Sequence, residues 1–113
     1  MKLPNAENAV ILEAKLVNYV LSPWHPLGHH KAEFFRRFGF SVAAWQKLAQ
    51  ALLKHAAQHE VTKVEDSPFG RRYIVEGEVM APDGRLPLIR AVWFVESGED
   101  VPRLVTAYPL EKS

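Results

Sequence analysis

Residues 28–37 read Gly28-His29-His30-Lys31-Ala32-Glu33-Phe34-Phe35-Arg36-Arg37, which sets two histidines and three cations among two aromatics. Neutral imidazole near pH 7 can take or give a proton, and a neighbouring ammonium or guanidinium can hold a phosphate or stabilise an oxyanion. His30 and Lys31 are therefore the first candidates for chemistry, with Arg36 and Arg37 extending the positive margin. Free amides at a helix start would add to an anion site there. The competing reading is an exposed polar helix face with one histidine packed against a core aromatic.

A second set lies near the C-terminus. By the two-residue period of a strand, Arg90 shares a face with Leu88, Val92 and Phe94, and Thr106 and Tyr108 share a face with Leu104. A buried guanidinium needs a partner, for which Glu76, Glu78 and Tyr108 are available. In an open groove the same Arg90, Thr106 and Tyr108 would offer a phosphate-binding cation and two hydroxyls. Both readings stand at this point.

His25, His29, His30, His55 and His59 also raise metal binding, since histidines four apart on a helix face together. No Asp is near them and no catalytic Glu intervenes, so no metal is expected. His55 and His59 read instead as cations favoured by a helix C-terminus. Phosphate-cradling glycine loops, nucleophile elbows and dinucleotide fingerprints are missing, and no cofactor is expected.

These residues need elements to position them. Lys2-Leu3-Pro4-Asn5-Ala6 reads as a strap, and Leu12, Leu16, Tyr19 and Val20 recur with helical spacing until Ser22-Pro23 ends the run. Residues 24–28 read as a turn. A second helix is expected over residues 29–37, with Phe34, Phe38 and Leu27 on its apolar side and Gly39 ending it. Ser41 should cap a third helix, where Val42, Trp45, Leu48, Ala49, Leu52 and Ala56 recur as far as about His59. Beyond Glu60 the period changes to two. An edge strand is expected over 60–64, a loop over 66–70, and strands over 73–79, 86–95 and 103–108, with turns at Asp83-Gly84 and Ser97-Gly98. The expected fold class is α+β: three N-terminal helices packed on a C-terminal antiparallel sheet of about four strands.

The chain has 113 residues, 48% of them hydrophobic and 11% aromatic, enough for one domain over 1–113 with a real core. It has no cysteine, which excludes disulfides and thiolate chemistry. The longest apolar runs, such as residues 91–95, are of strand length, and the N-terminus lacks a signal pattern. A cytoplasmic protein without a membrane partner is expected. Net charge is +1, yet residues 1–59 hold seven Lys and Arg against three Glu, while residues 60–113 hold seven against ten acids. A polyanion should approach the N-terminal half.

Leu3-Pro4-Asn5-Ala6, Lys15-Leu16, Tyr19, Gly28 with His30-Lys31-Ala32 and Phe35, Gly70 with Arg72-Tyr73, Gly84, Ala91 with Trp93, and Glu99-Asp100 with Pro102-Arg103-Leu104 and Thr106 carry a further signal. This set resembles a bacterial family of domains of unknown function, found alone and at the ends of larger bacterial and phage proteins in toxin-like contexts. His29 falls outside that pattern. The order of helices then sheet is also similar to the small metal-independent ribonucleases that include barnase, colicin D and RelE-like toxins, a likeness of fold. The resemblance implies RNA cleavage with His30 and Lys31 as base and cation and Arg90, Thr106 and Tyr108 on the sheet. Arg36, Arg37, Arg72 and Arg103 would bind the substrate. The alternative is a non-enzymatic binding module, an antitoxin, immunity-type or phage accessory domain, whose acids Glu76, Glu78, Glu96, Glu99 and Asp100 meet a basic partner. The partners expected are accordingly RNA or a cognate inhibitor or toxin protein.

Overall fold

The computed structural model describes residues 1–21 and 29–110; the side chains of Tyr19, His29, His30 and Lys31 lie outside the described residues, as do Trp24, His25, Leu27 and Gly28. The order of elements is a 3₁₀ turn Ala6–Asn8, α1 (Glu13–Lys15), a π turn Leu16–Val20, α2 (His29–Arg37), α3 (Trp45–Gln58), β1 (Val61–Ser67), β2 (Gly70–Glu78), β3 (Leu88–Glu96) and β4 (Arg103–Pro109). The class is α+β, with one antiparallel sheet in the order β1-β2-β3-β4.

The helical part departs from the expected three helices. Residues 13–20 form one short α segment running into a π turn, closed by Leu21 N–H donating to Leu16 O at 2.7 Å. The wider turn brings Leu16, Val20 and Leu21 into the core together, which an α turn would not do. Among the described side chains of α2 the fully buried ones are Ala32 and Phe35, whereas the expected Phe34 and Phe38 pack partly against the core with rings 5.0 Å apart. The end of α2 follows expectation. Gly39 adopts φ +100, its N–H reaches Arg36 O at 3.0 Å, and Phe40 N–H returns to Phe35 O at 3.1 Å. That is a Schellman cap, and its usual apolar contact is present as the Phe35 and Phe40 rings, 5.9 Å apart.

Ser41 does not begin α3. Its Oγ accepts the Ala44 N–H at 3.2 Å, but that bond closes a separate turn, and the helix starts at Trp45. Val42 consequently stays exposed. At the other end Lys2 Nζ donates to the Ala57 and Gln58 carbonyls at 3.2 and 3.0 Å, placing a cation at the negative end of the helix.

The expected loop over 66–70 is instead a tight hairpin in which Ser67 pairs with Gly70, so β1 and β2 are longer than their apolar patterns. Tyr73, Val75, Ile89, Ala91, Trp93, Leu104 and Ala107 form the covered face and join Leu16, Phe35, Leu48 and Leu52 in one cluster. The N-terminal strap crosses to the far edge of the sheet. There Val10 N–H donates to Pro102 O at 2.8 Å, Leu104 N–H donates to Val10 O at 3.1 Å, and Asn5 Nδ2 donates to Asp100 O at 3.1 Å. Among the described residues no helix is long and apolar enough to cross a membrane.

Candidate active face

Register decides which side chains meet on the other face. Glu76, Arg90 and Tyr108 stand in one cross-strand row, Ile74, Val92 and Thr106 in the next, and Arg72, Phe94 and Arg103 in a third. A bulge in β4 between Thr106 and Leu104 keeps Thr106 and Arg103 on the same face although they are three residues apart. Val92 is only 6% exposed yet lies outside the core cluster, so its burial comes from neighbours on this second face.

Arg90 is the centre of the face. Its Nε donates to Glu76 Oε2 at 2.6 Å, Nη2 contacts the same oxygen, and Nη1 donates to Tyr108 Oη at 3.3 Å. The Arg90 and Glu76 side chains are 35% and 24% exposed. Of the partners that the sequence offered, Tyr108 and Glu76 are engaged and Glu78 is not. The hydrogen bonds to Tyr108 and Glu76 raise the Arg90 pKa, so it stays a cation at any working pH. One oxygen of Glu76 thus fixes two guanidinium nitrogens, while among the described residues the Nη1 edge is held by the longer bond to Tyr108.

The flanking rows add charge. Arg72 Nη1 lies 3.9 Å from Glu65, which also meets Lys63 at 3.5 Å. Among the described residues no carboxylate pairs with Arg103.

His30 and Lys31 fall in the first turn of α2, and their side chains lie outside the described residues. Arg36 and Arg37 are exposed in the last turn of that helix. Arg37 is 3.9 Å from Glu33, and its carbonyl accepts a bond from Arg85 Nη2 at 2.9 Å, which sets this pair beside the turn joining β2 and β3. Arg36 and Arg37 therefore belong to a different edge from Arg72 and Arg103.

Sequence reasoning missed the role of two histidines. His55 is 1% exposed, its Nε2 donating to Gly77 O at 3.2 Å, and His59 Nε2 donates to Glu78 O at 2.7 Å. The reading of His55 as a helix-end cation is corrected: burial, then the His59 charge, hold its pKa down to about 4 against the opposing bond to Gly77, so the ring is neutral at pH 7. The signal was the helical period itself, which places His55 beside Leu48 and Leu52.

The end of the sheet near the β1–β2 and β3–β4 turns carries a recess of about 510 Å³ lined by Pro4, Asp66, Glu96, Glu99 and Asp100 among others. Phe69, 77% exposed, caps the neighbouring hairpin. This end is acidic.

A family model for a domain of unknown function, DUF6883, matches residues 2–111. The chain belongs to the DUF6883 family. Comparison of this DUF6883 chain with curated proteins gives no match. Among solved structures, a chain of a contact-dependent growth inhibition toxin–immunity protein complex from Klebsiella pneumoniae 342 superposes on the DUF6883 fold with a TM-score of 0.70. The two share 15% sequence identity over 90% of this chain and 100% of that one, a likeness of fold. Several residues that carried the family resemblance have structural roles here. Leu3 is buried, Asn5 holds the strap to Asp100, and Leu104 pairs with Val10.

Proposed function

We propose that this DUF6883 chain is a toxin-type, metal-independent endoribonuclease whose second sheet face receives the substrate. The observation that carries this reading is Arg90, fixed by Glu76 in the middle of a sheet face turned away from the core, with Tyr108 and Thr106 on the adjoining strand. RNA cleavage without a metal needs a base for the ribose 2′-hydroxyl, a cation for the developing phosphorane and an acid for the leaving oxygen. In this scheme the 2′-oxygen attacks the adjacent phosphorus as the base takes its proton, the P–O5′ bond breaks, and the acid protonates O5′. Products are a 2′,3′-cyclic phosphate and a 5′-hydroxyl. Arg90 binds a non-bridging oxygen through its Nη1 edge, and Thr106 and Tyr108 hold the phosphate. His30, as base or acid, and Lys31, as a second cation, come from α2, which packs on the covered side against β4. In this scheme the reacting phosphate therefore sits at the β4 edge beside Arg90, and Arg36, Arg37, Arg72 and Arg103 meet flanking phosphates. The fold shared with a toxin–immunity complex supports the toxin-type context.

Purified protein incubated with total RNA should release fragments ending in cyclic phosphate. The H30A and R90A variants should each lose about 100-fold or more of that activity. Full activity in both, with growth inhibition intact, would sink the assignment.

One observation favours a second reading, a protein-binding module of immunity type. The acidic recess with exposed Phe69 beside it suits a basic protein partner. Salt separates the two: binding to RNA that weakens steeply as salt rises supports the nuclease, and indifference to RNA supports the module.

A further inference from the structure

Phe94 has no role in the scheme above and occupies an unusual seat. It stands in the row between Arg72 and Arg103, and its Cζ reaches over Gly70, where a Cβ would lie 2.7 Å away. The missing side chain at Gly70 lets the ring lean along the sheet surface, and the ring stays half-buried, outside the core cluster. A half-buried aromatic laid on the second sheet face, in register between two arginines, is suited to a nucleobase on its face with phosphates on either side.

We infer that Phe94 is a stacking platform for one base of a single-stranded RNA, with Arg72 and Arg103 holding the flanking phosphates. The inference rests on the nuclease reading for its occupant. Phe94 and Arg90 are four residues apart on one strand, about 13 Å at the usual strand rise. The stacked base is thus about two nucleotides from the phosphate at Arg90 on an extended chain. A duplex is excluded by the same geometry, because its bases are already stacked on one another and present no free face. Glu96, Glu99 and Asp100 at the β3–β4 turn bound the path, since a phosphate chain is repelled from that end. The RNA consequently runs from the Arg72–Phe94–Arg103 row toward Arg90 and not over the turn. Glu65, shared between Arg72 and Lys63, is the acid that the phosphate must compete with.

The test uses a fluorescently labelled 2′-O-methyl RNA of about twelve nucleotides, long enough to cross the face. It cannot be cleaved by 2′-hydroxyl attack, so binding is read apart from catalysis. F94W should bind within about twofold of wild type, and F94L, apolar but without a π-face, should bind about 5- to 100-fold more weakly. An abasic scan should find one position at which wild type and F94L become equal. R72Q should lower the salt slope by about one. Equal binding by F94L, equal binding of the duplex, or no binding by the wild type overturns the inference. Cleavage that persists in F94L with unchanged binding defeats the stacking role and leaves the nuclease intact. Absent cleavage with the F94L defect present defeats the nuclease and leaves the platform.

Discussion

His55 shows how one side chain can carry a chemical type without the expected charge. Its Nε2 must donate, since Gly77 O only accepts, and its Nδ1 is buried without an acceptor among the described residues. A proton on Nδ1 would therefore add a buried charge with nothing to receive its hydrogen bond, which agrees with a pKa down to about 4. Between that value and about 6.5 the unfolded chain binds a proton that the folded chain does not. Stability from this group is complete above the unfolded value and falls as pH drops toward 4, by about 3 kcal/mol over the window. Urea titrations at pH 7 and pH 4 should show that loss in the wild type. H55Q, whose amide can replace the Nε2 donor but does not titrate, should show a clearly smaller difference between the two pH values. His59 depends on the same strand in another way. Its ring fills the space over Gly77, where a Cβ would come within 2.5 Å, so a side chain there would displace the ring.

At the scale of elements, the two best-read features are the end of α2 and the pleat of the sheet. Gly39 was legible because a helix followed by a left-handed residue has few alternatives, and the Phe35–Phe40 contact completes the motif. Replacing Gly39 with Ala forces a Cβ onto φ +100 and to 3.3 Å from the Pro82 side chain. A loss of about 1–2 kcal/mol is expected, read as a lowered thermal midpoint without loss of helical circular dichroism. The start of α3 was less legible. Ser41 makes a bond of capping type to Ala44, but the chain inserts an extra turn before Trp45, and a side-chain hydroxyl three residues from an amide is common to both arrangements.

At the scale of the whole molecule, one core joins parts distant in the chain. Leu3, Leu16, Phe35, Leu52, Ala91 and Ala107 share a single cluster, and Leu52 on α3 is fully buried against it. Leu52→Ala leaves a cavity that neighbours on a sheet cannot easily collapse into, and should cost about 2–5 kcal/mol in denaturant unfolding. A smaller loss would mean that α3 relaxes onto the sheet. The same core divides the molecule's labour. One sheet face is consumed by the helices, and Arg90 stands at the centre of the other.

The sequence by itself determined the α+β class, the antiparallel order of the strands and the family, because the change from helical to two-residue period and the spacing of short motifs are local properties. It also placed Arg90, Thr106 and Tyr108 on neighbouring strands. Only the tertiary structure decided that Glu76 rather than Glu78 holds Arg90, since both acids share a strand face and the pairing register alone sets which of them stands opposite Arg90. Register and the β4 bulge likewise brought Arg72, Phe94 and Arg103 into a row, and the packing of α3 on β2 turned His55 from an expected cation into a buried donor. Each of these rests on contacts between segments far apart in the chain, which periodicity within one segment cannot report.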